Sequence, residues 1–281
     1  MSAPILLQGK SRSVLVLIAV VLIGGLWAWR PMRTKALIRS YARAVGGEKQ
    51  SIHSDLRAHP ASFGRGIAWG IRTKEFRAAA MDLIDESAAD EFPAAPVAGA
   101  AADMFRSDDA EDREAAGKVF ALLGQRGTTE LQVALSGMSD MESRSAALGH
   151  ILEAGDAGQD AVARYYISLF RSPEVAVRKR SRLQLRDLGP SASMPLIEGL
   201  RDGNVWVRLF CPHTLADRGE KRAVLALIQG LGDSEPDTGV KVAIGDALLR
   251  ITGFAGRAHH PDLWRAWWKD NQHKYPPQIL P

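Results

Sequence analysis

Seven histidines, one cysteine and a few paired carboxylates are the residues of this 281-residue chain best suited to binding metal or breaking bonds. His259 and His260 are adjacent, so on a helix their side chains diverge by about 100° and on a strand they face opposite sides. Neither geometry closes on one metal ion. No histidine is followed by glutamate, so H-E-x-x-H is absent. Cys211 and His213 could pair a thiol with a base, but residues two apart on a helix point in different directions. The run Gly64-Arg65-Gly66-Ile67-Ala68-Trp69-Gly70 lacks the preceding strand that a dinucleotide or P-loop motif needs. It reads as the lead-in to the helices that follow, with Phe63 and Trp69 closing their N-terminal end. Asp85-Glu86 and Asp108-Asp109 fall at helix ends and read as capping or solvated charge. The expectation is no catalytic residue, no cofactor and no metal.

Two clusters could instead bind a partner. Arg178-Lys179-Arg180-Ser181-Arg182, with Arg186, is the densest basic stretch. On one helix these side chains spread over several faces, leaving Lys179, Arg182 and Arg186 to a solvated face or to an acidic protein. A nucleic-acid track needs a run of cations. Glu114, Ser145 and Leu209 occupy the positions that align with Lys179, so nucleic acid is not expected. Near the C-terminus, Trp264, Trp267 and Trp268 lie at helical spacing in a segment opened by Pro261. They read as a cap over the last element or, for Trp264 and Trp267, as an aromatic patch for a partner.

The elements that position these clusters repeat. Arg77, Arg113, Arg144, Arg178, Arg208 and Lys241 recur at intervals of 30 to 36 residues. Seven residues after each stands a large apolar side chain: Ile84, Phe120, Ile151, Leu185, Leu215 and Leu248. Three residues after each stands Ala80, Ala116, Ala147, Ser181, Cys211 or Ile244, small in five of six. Offsets of three and seven share one helix face, so the small residue permits close helix approach and the large one fills the groove. Gly124, Gly155, Gly189 and Gly219 follow eleven residues after the middle four cations, where a left-handed residue would end a helix. Ser107, Ser172 and Asp202, six before the cation, are candidate N-caps. A second apolar helix then follows, as in Ser193–Leu200. The unit is a helical hairpin of about 30 to 36 residues; one hairpin buries too little to fold, and stacked hairpins share a core.

Ser172-Pro173-Glu174-Val175-Ala176-Val177-Arg178 and Asp202-Gly203-Asn204-Val205-Trp206-Val207-Arg208 resemble the D-x-x-V-R signature of HEAT repeats. Their continuations through Leu188-Gly189 and Arg218-Gly219 resemble the short HEAT-like, or PBS-lyase, subtype. The match is good over 172–253 and degenerate over 73–171, where the V-R dipeptide is missing. The resemblance implies an all-α, right-handed α-solenoid of five to six hairpins. It implies that the Arg-bearing helix lines the concave face and that the Arg ties neighbouring repeats together. Such proteins include iron-dependent deoxyhypusine hydroxylases, whose His-Glu pairs are absent here, and DNA glycosylases. The function so implied is a scaffold that binds a protein through the solenoid surface, not an enzyme. The alternative is a lyase or enzyme-accessory protein of the PBS-lyase type. A shallow mixed groove would favour the scaffold and a deep apolar pocket the enzyme.

Ahead of the repeats, Ser13–Trp29 is a run of 17 uncharged residues between Arg12 and Arg30. As a helix it would reach roughly 26 Å, near the lower limit for a bilayer. The bulky, charged exit Trp27-Ala28-Trp29-Arg30-Pro31 argues against a cleaved signal. One transmembrane helix is therefore expected at 13–30, with the lipid bilayer as its partner. Five cations after it against three positive charges before it favour the solenoid on the cytoplasmic side. Met32–Val45 reads as a basic amphipathic helix, with Leu37, Ile38, Tyr41 and Val45 at helical spacing, or as a continuation of the anchor. The expected organisation is a basic tail (1–12), anchor (13–30), juxtamembrane helix and linker (31–72), repeats (73–253), Trp-rich capping helix (254–275) and a disordered or extended tail (276–281). Residues 1–43 hold seven Lys/Arg and no Asp/Glu. The other 238 therefore hold 36 − 7 = 29 basic against 32 acidic residues. The pI of about 9.3 belongs to the N-terminal segment.

Overall fold

A computed structural model describes residues 32–88, 90–232, 235–254 and 260–280; among them every regular element is helical. The expected transmembrane helix requires correction. Among the described residues no helix is long and apolar enough to cross a membrane. Residues 13–30, on which that expectation rested, lie outside the described residues. The nearest described helix, α1 over 32–43, carries Arg33, Lys35, Arg39 and Arg43, a charge density that hydrocarbon does not tolerate. The chain divides into two compact units, 1–100 and 101–281.

Unit 1 contains α1, α2 (Gly47–Arg57), α3 (Pro60–Arg72), α4 (Arg77–Glu86) and the start of α5 (Ala94–Met104). Ile38 and Tyr41 of α1 are fully buried with Phe63, Ile67 and Ile71 of α3 and Leu83 of α4, whereas Val45 is exposed. The apolar face of α1 is thus spent on the core. The glycines of Gly64–Gly70 lie inside α3 and let helices approach. A Cβ at Gly66 would collide with Thr34 and Ile38, and one at Gly70 would lie 2.8 Å from the Ala80 Cβ.

Unit 2 is a helical-repeat stack. In chain order α6 (Ala110–Leu123) is followed by α7 (Thr128–Ser136), α8 (Met141–Leu152) by α9 (Asp156–Ser168), and α10 (Val175–Asp187) by α11 (Ser193–Glu198). α12 (Val205–Asp217) is followed by α13 (Val224–Gly230), and α14 (Thr238–Thr252) by α15 (Pro261–Asn271). First helices pack on first helices, α6 on α8, α10 on α12 and α12 on α14. Second helices form the other layer, with α7 on α9, α9 on α11 and α13 on α15. The two columns at offsets three and seven, from Ala80 and Ile84 to Ile244 and Leu248, are buried in every repeat. Gly124, Gly155, Gly219 and Gly253 all have positive φ, between 49° and 70°, and Gly253 closes α14 in the left-handed helical conformation. Gly189 differs: its φ is −65°, and it is small because the Gln159 side chain lies against it.

The recurring cation is a clasp. Arg77, Arg113, Arg144, Arg178 and Arg208 each donate to the backbone carbonyl six residues earlier, at 2.5–3.0 Å. Those carbonyls belong to Ile71, Ser107, Met138, Ser172 and Asp202, where the chain leaves the preceding helix. The guanidinium satisfies acceptors that a buried turn would otherwise leave unpaired. Ser107, Ser172 and Asp202 are not N-caps. Their side chains accept from the amide two residues on, in Asp109, Glu174 and Asn204, forming Asx- and ST-type turns. Asp109 and Asn204 supply the caps of α6 and α12.

The C-terminal end closes the stack. Trp264 is fully buried, edge-on to Phe254 at 5.2 Å and to Trp267 at 5.6 Å. Tyr275 adds an edge contact to Trp267 at 5.8 Å. The tail beyond it is extended and pinned: Ile279 N donates to Arg222 O at 2.9 Å. The Gln278 side chain accepts from Leu225 N at 3.0 Å and donates to Lys221 O at 3.2 Å.

Candidate functional site

A cleft of about 530 Å³ runs along the second-helix layer of unit 2, across α7, α9 and α11. It is lined by Ile167, Pro195 and Gly199, by Gln132 and Ser168, and by two ion-paired arginines. The packing of α7 on α9 and α9 on α11 sets its width, and the short turns after α9 and α11 bring Arg171 and Asp202 to one end.

Both arginines bridge successive hairpins. Arg164 donates from Nε to Asp160 at 2.7 Å, one turn earlier on α9, and from a terminal nitrogen to Glu198 of α11 at 2.6 Å. Burial lowers the Arg164 pKa, but the hydrogen bonds to Glu198 and Asp160 outweigh it and the net shift is upward. Arg171 donates to Asp202 at 2.6 Å. Ser168 Oγ bonds the Tyr165 carbonyl at 2.6 Å and reaches Gln132 of α7 at 3.3 Å. The cleft thus offers hydroxyls, amides and charges already neutralised in pairs, beside the apolar Ile167 and Pro195. That composition can hydrogen-bond a polar chain without demanding one net charge.

The basic cluster expected to bind a partner lies elsewhere, on first helix α10. Lys179 is exposed. Arg182 is committed to Asp217 of α12 at 2.5 Å, and Asp217 also binds Arg250 of α14 at 2.8 Å. Arg186 pairs with its neighbour Asp187 at 2.8 Å. This is a ladder between repeats, and Lys179 alone of the three has no carboxylate partner among the described residues. Of the tryptophans, Trp264 is inside the core and Trp267 is partly buried against it.

The groups considered for chemistry do not converge. Cys211 is completely buried, and burial pushes its thiol far above the usual range, which disfavours a reactive thiolate. Burial and the nearby Arg182 lower the pKa of His213. His260 precedes α15, and His259 lies outside the described residues. No group of three His, Cys, Asp or Glu side chains among the described residues could hold a metal ion.

The cleft residues do not stand out in the sequence, because each arginine meets its carboxylate only across neighbouring hairpins. Their signal is weaker but present: Arg164 and Glu198 stand 34 residues apart and Arg171 and Asp202 31 apart, one repeat length in each case. No family model matches this chain. No curated protein matches it either.

Proposed function

We propose that this chain is a non-catalytic binding scaffold of the HEAT-like kind, which holds a protein partner in the cleft along α7, α9 and α11. The single observation that carries the reading is the composition of the cleft. It is open, its lining mixes polar and apolar residues, and its arginines are already paired with carboxylates on the next hairpin. Such a surface suits a polypeptide better than a small anion, which would need unpaired cations. The repeated Arg clasp supports the HEAT-like assignment, because it recurs in the inter-hairpin turns where the resemblance places it.

The reading is tested by filling the cleft. Thr129 is exposed at its wall, so Thr129→Trp obstructs the cleft while leaving the core intact. In proximity labelling from the full chain, the variant should lose specific partners that the unaltered chain labels. An unchanged labelled set, with the helical melt retained, would place binding elsewhere.

A further inference from the structure

The outward side of α1 carries cations that no carboxylate neutralises among the described residues. At about 100° per residue, Lys35, Arg39 and Arg43 fall within roughly 80° of the helix surface. Thr34, Ile38 and Tyr41 occupy the other side and are buried. Lys35 and Arg39 lie over the Trp69 ring, 5.4 and 5.3 Å from its centroid, and Trp69 stacks on Phe76 at 5.3 Å. The ring holds both cations beside α3, where exposed Arg65 stands one turn before Trp69 and reaches the Ser62 hydroxyl, at 3.4 Å. Among the described residues no carboxylate pairs with Lys35, Arg39, Arg43 or Arg65, whereas Lys49 and Arg57 of the same unit both find one.

The burial of Ile38 and Tyr41 rules out one way of using such a helix. An interfacial helix sinks its apolar face among acyl chains, but here that face is core. What remains is contact through charge alone, and clustered cations beside an anionic surface attract it strongly. We propose that Lys35, Arg39 and Arg43 of α1, with Arg65 of α3, dock against the phosphate headgroups of an anionic lipid surface. One observation favours lipid over nucleic acid: the apolar, uncharged run Ser13–Trp29 is separated from α1 in the sequence by Arg30 and Pro31 alone. The proposal does not depend on what occupies the cleft of unit 2.

Ala36 is exposed beside these cations, and Cys211 is buried, so Ala36→Cys in the full chain takes an environment-sensitive dye selectively. With phosphatidylcholine vesicles containing about a third phosphatidylserine, the dye emission should shift to the blue at low salt. The shift should vanish in 0.5 M NaCl, with pure phosphatidylcholine vesicles, and in K35Q/R39Q/R43Q. At roughly fivefold per cation, the triple variant should need on the order of a hundred times more anionic lipid for an equal response. An equal shift with neutral vesicles, retention at high salt, or a response to a DNA duplex with none to anionic vesicles would overturn the proposal. The lipid and salt comparisons use unaltered cations, so they decide the matter even if the triple variant misfolds.

Discussion

Arg208 and Asp202 are joined through the backbone: a terminal nitrogen of Arg208 donates to the Asp202 carbonyl at 2.8 Å, six residues back. The rest of the same guanidinium grips Glu235, with Nε at 2.8 Å and the other terminal nitrogen at 3.2 Å. Glu235 in turn accepts from Asp237 N at 2.9 Å, the residue that caps α14. One side chain therefore fixes two successive turns between helices, and the start of α14 depends on it.

Replacing Arg208 should expose that dependence. Arg208→Ala leaves the buried Glu235 carboxylate unpaired and frees both turns, a loss expected at about 3 kcal/mol. Arg208→Lys keeps a charge but cannot span both turns, so its loss should be intermediate. Urea denaturation of the three proteins measures this. Equal stability of the alanine variant and the parent would mean that the turns hold themselves.

Acid should weaken a second contact. Burial alone would raise the Glu220 pKa, but hydrogen bonds from Arg222 and Ser193 outweigh it and lower it from the ordinary 4.5 to about 2. A carboxyl depressed in the folded state contributes its full stability above pH 4.5 and loses it as pH falls toward 2. After discounting for solvent screening, the contribution is about 1–2 kcal/mol. The stability gap between the parent and Glu220→Gln should therefore be constant near neutrality and narrow between these two pH values. A gap independent of pH over that window would contradict the assignment.

The pinned tail predicts a hydrogen-exchange pattern. The Leu225 amide, in the first turn of α13 where helical amides lack internal partners, is bonded by the Gln278 side chain. Gln278→Ala should speed its exchange several-fold and cost about 1 kcal/mol, leaving the amides of α10 unchanged. Unaltered Leu225 exchange would show the tail detached in solution.

How much of this was legible follows from the physics of each feature. The columns containing Cys211 and Leu215 were readable because burial on a helix imposes residue size at fixed offsets. The Arg178 spacing was visible too, but its hydrogen-bond acceptor was not. A backbone carbonyl has no sequence signature, and Ser172 looked like a cap when its side chain closes a turn. Arg182 stands in the sequence as charge density, whereas its neutralising Asp217 lies 35 residues away and meets it only through the packing of α10 on α12. The cleft pairs Arg164–Glu198 and Arg171–Asp202 were hidden for the same reason. The tail Pro276–Leu280 read as disordered or extended; the pinning of its extended form was hidden because its anchors are main-chain groups of α13 and the turn before it.

The most direct test of the central claim compares two positions on unit 2. A photo-crosslinking residue is placed at Thr129, in the second-helix cleft, or at Lys179, exposed on α10, in the full chain in its own cells. The account predicts a discrete protein adduct from position 129 and none of that mass from position 179. An adduct from position 179 alone would contradict it and return the interface to the first helices.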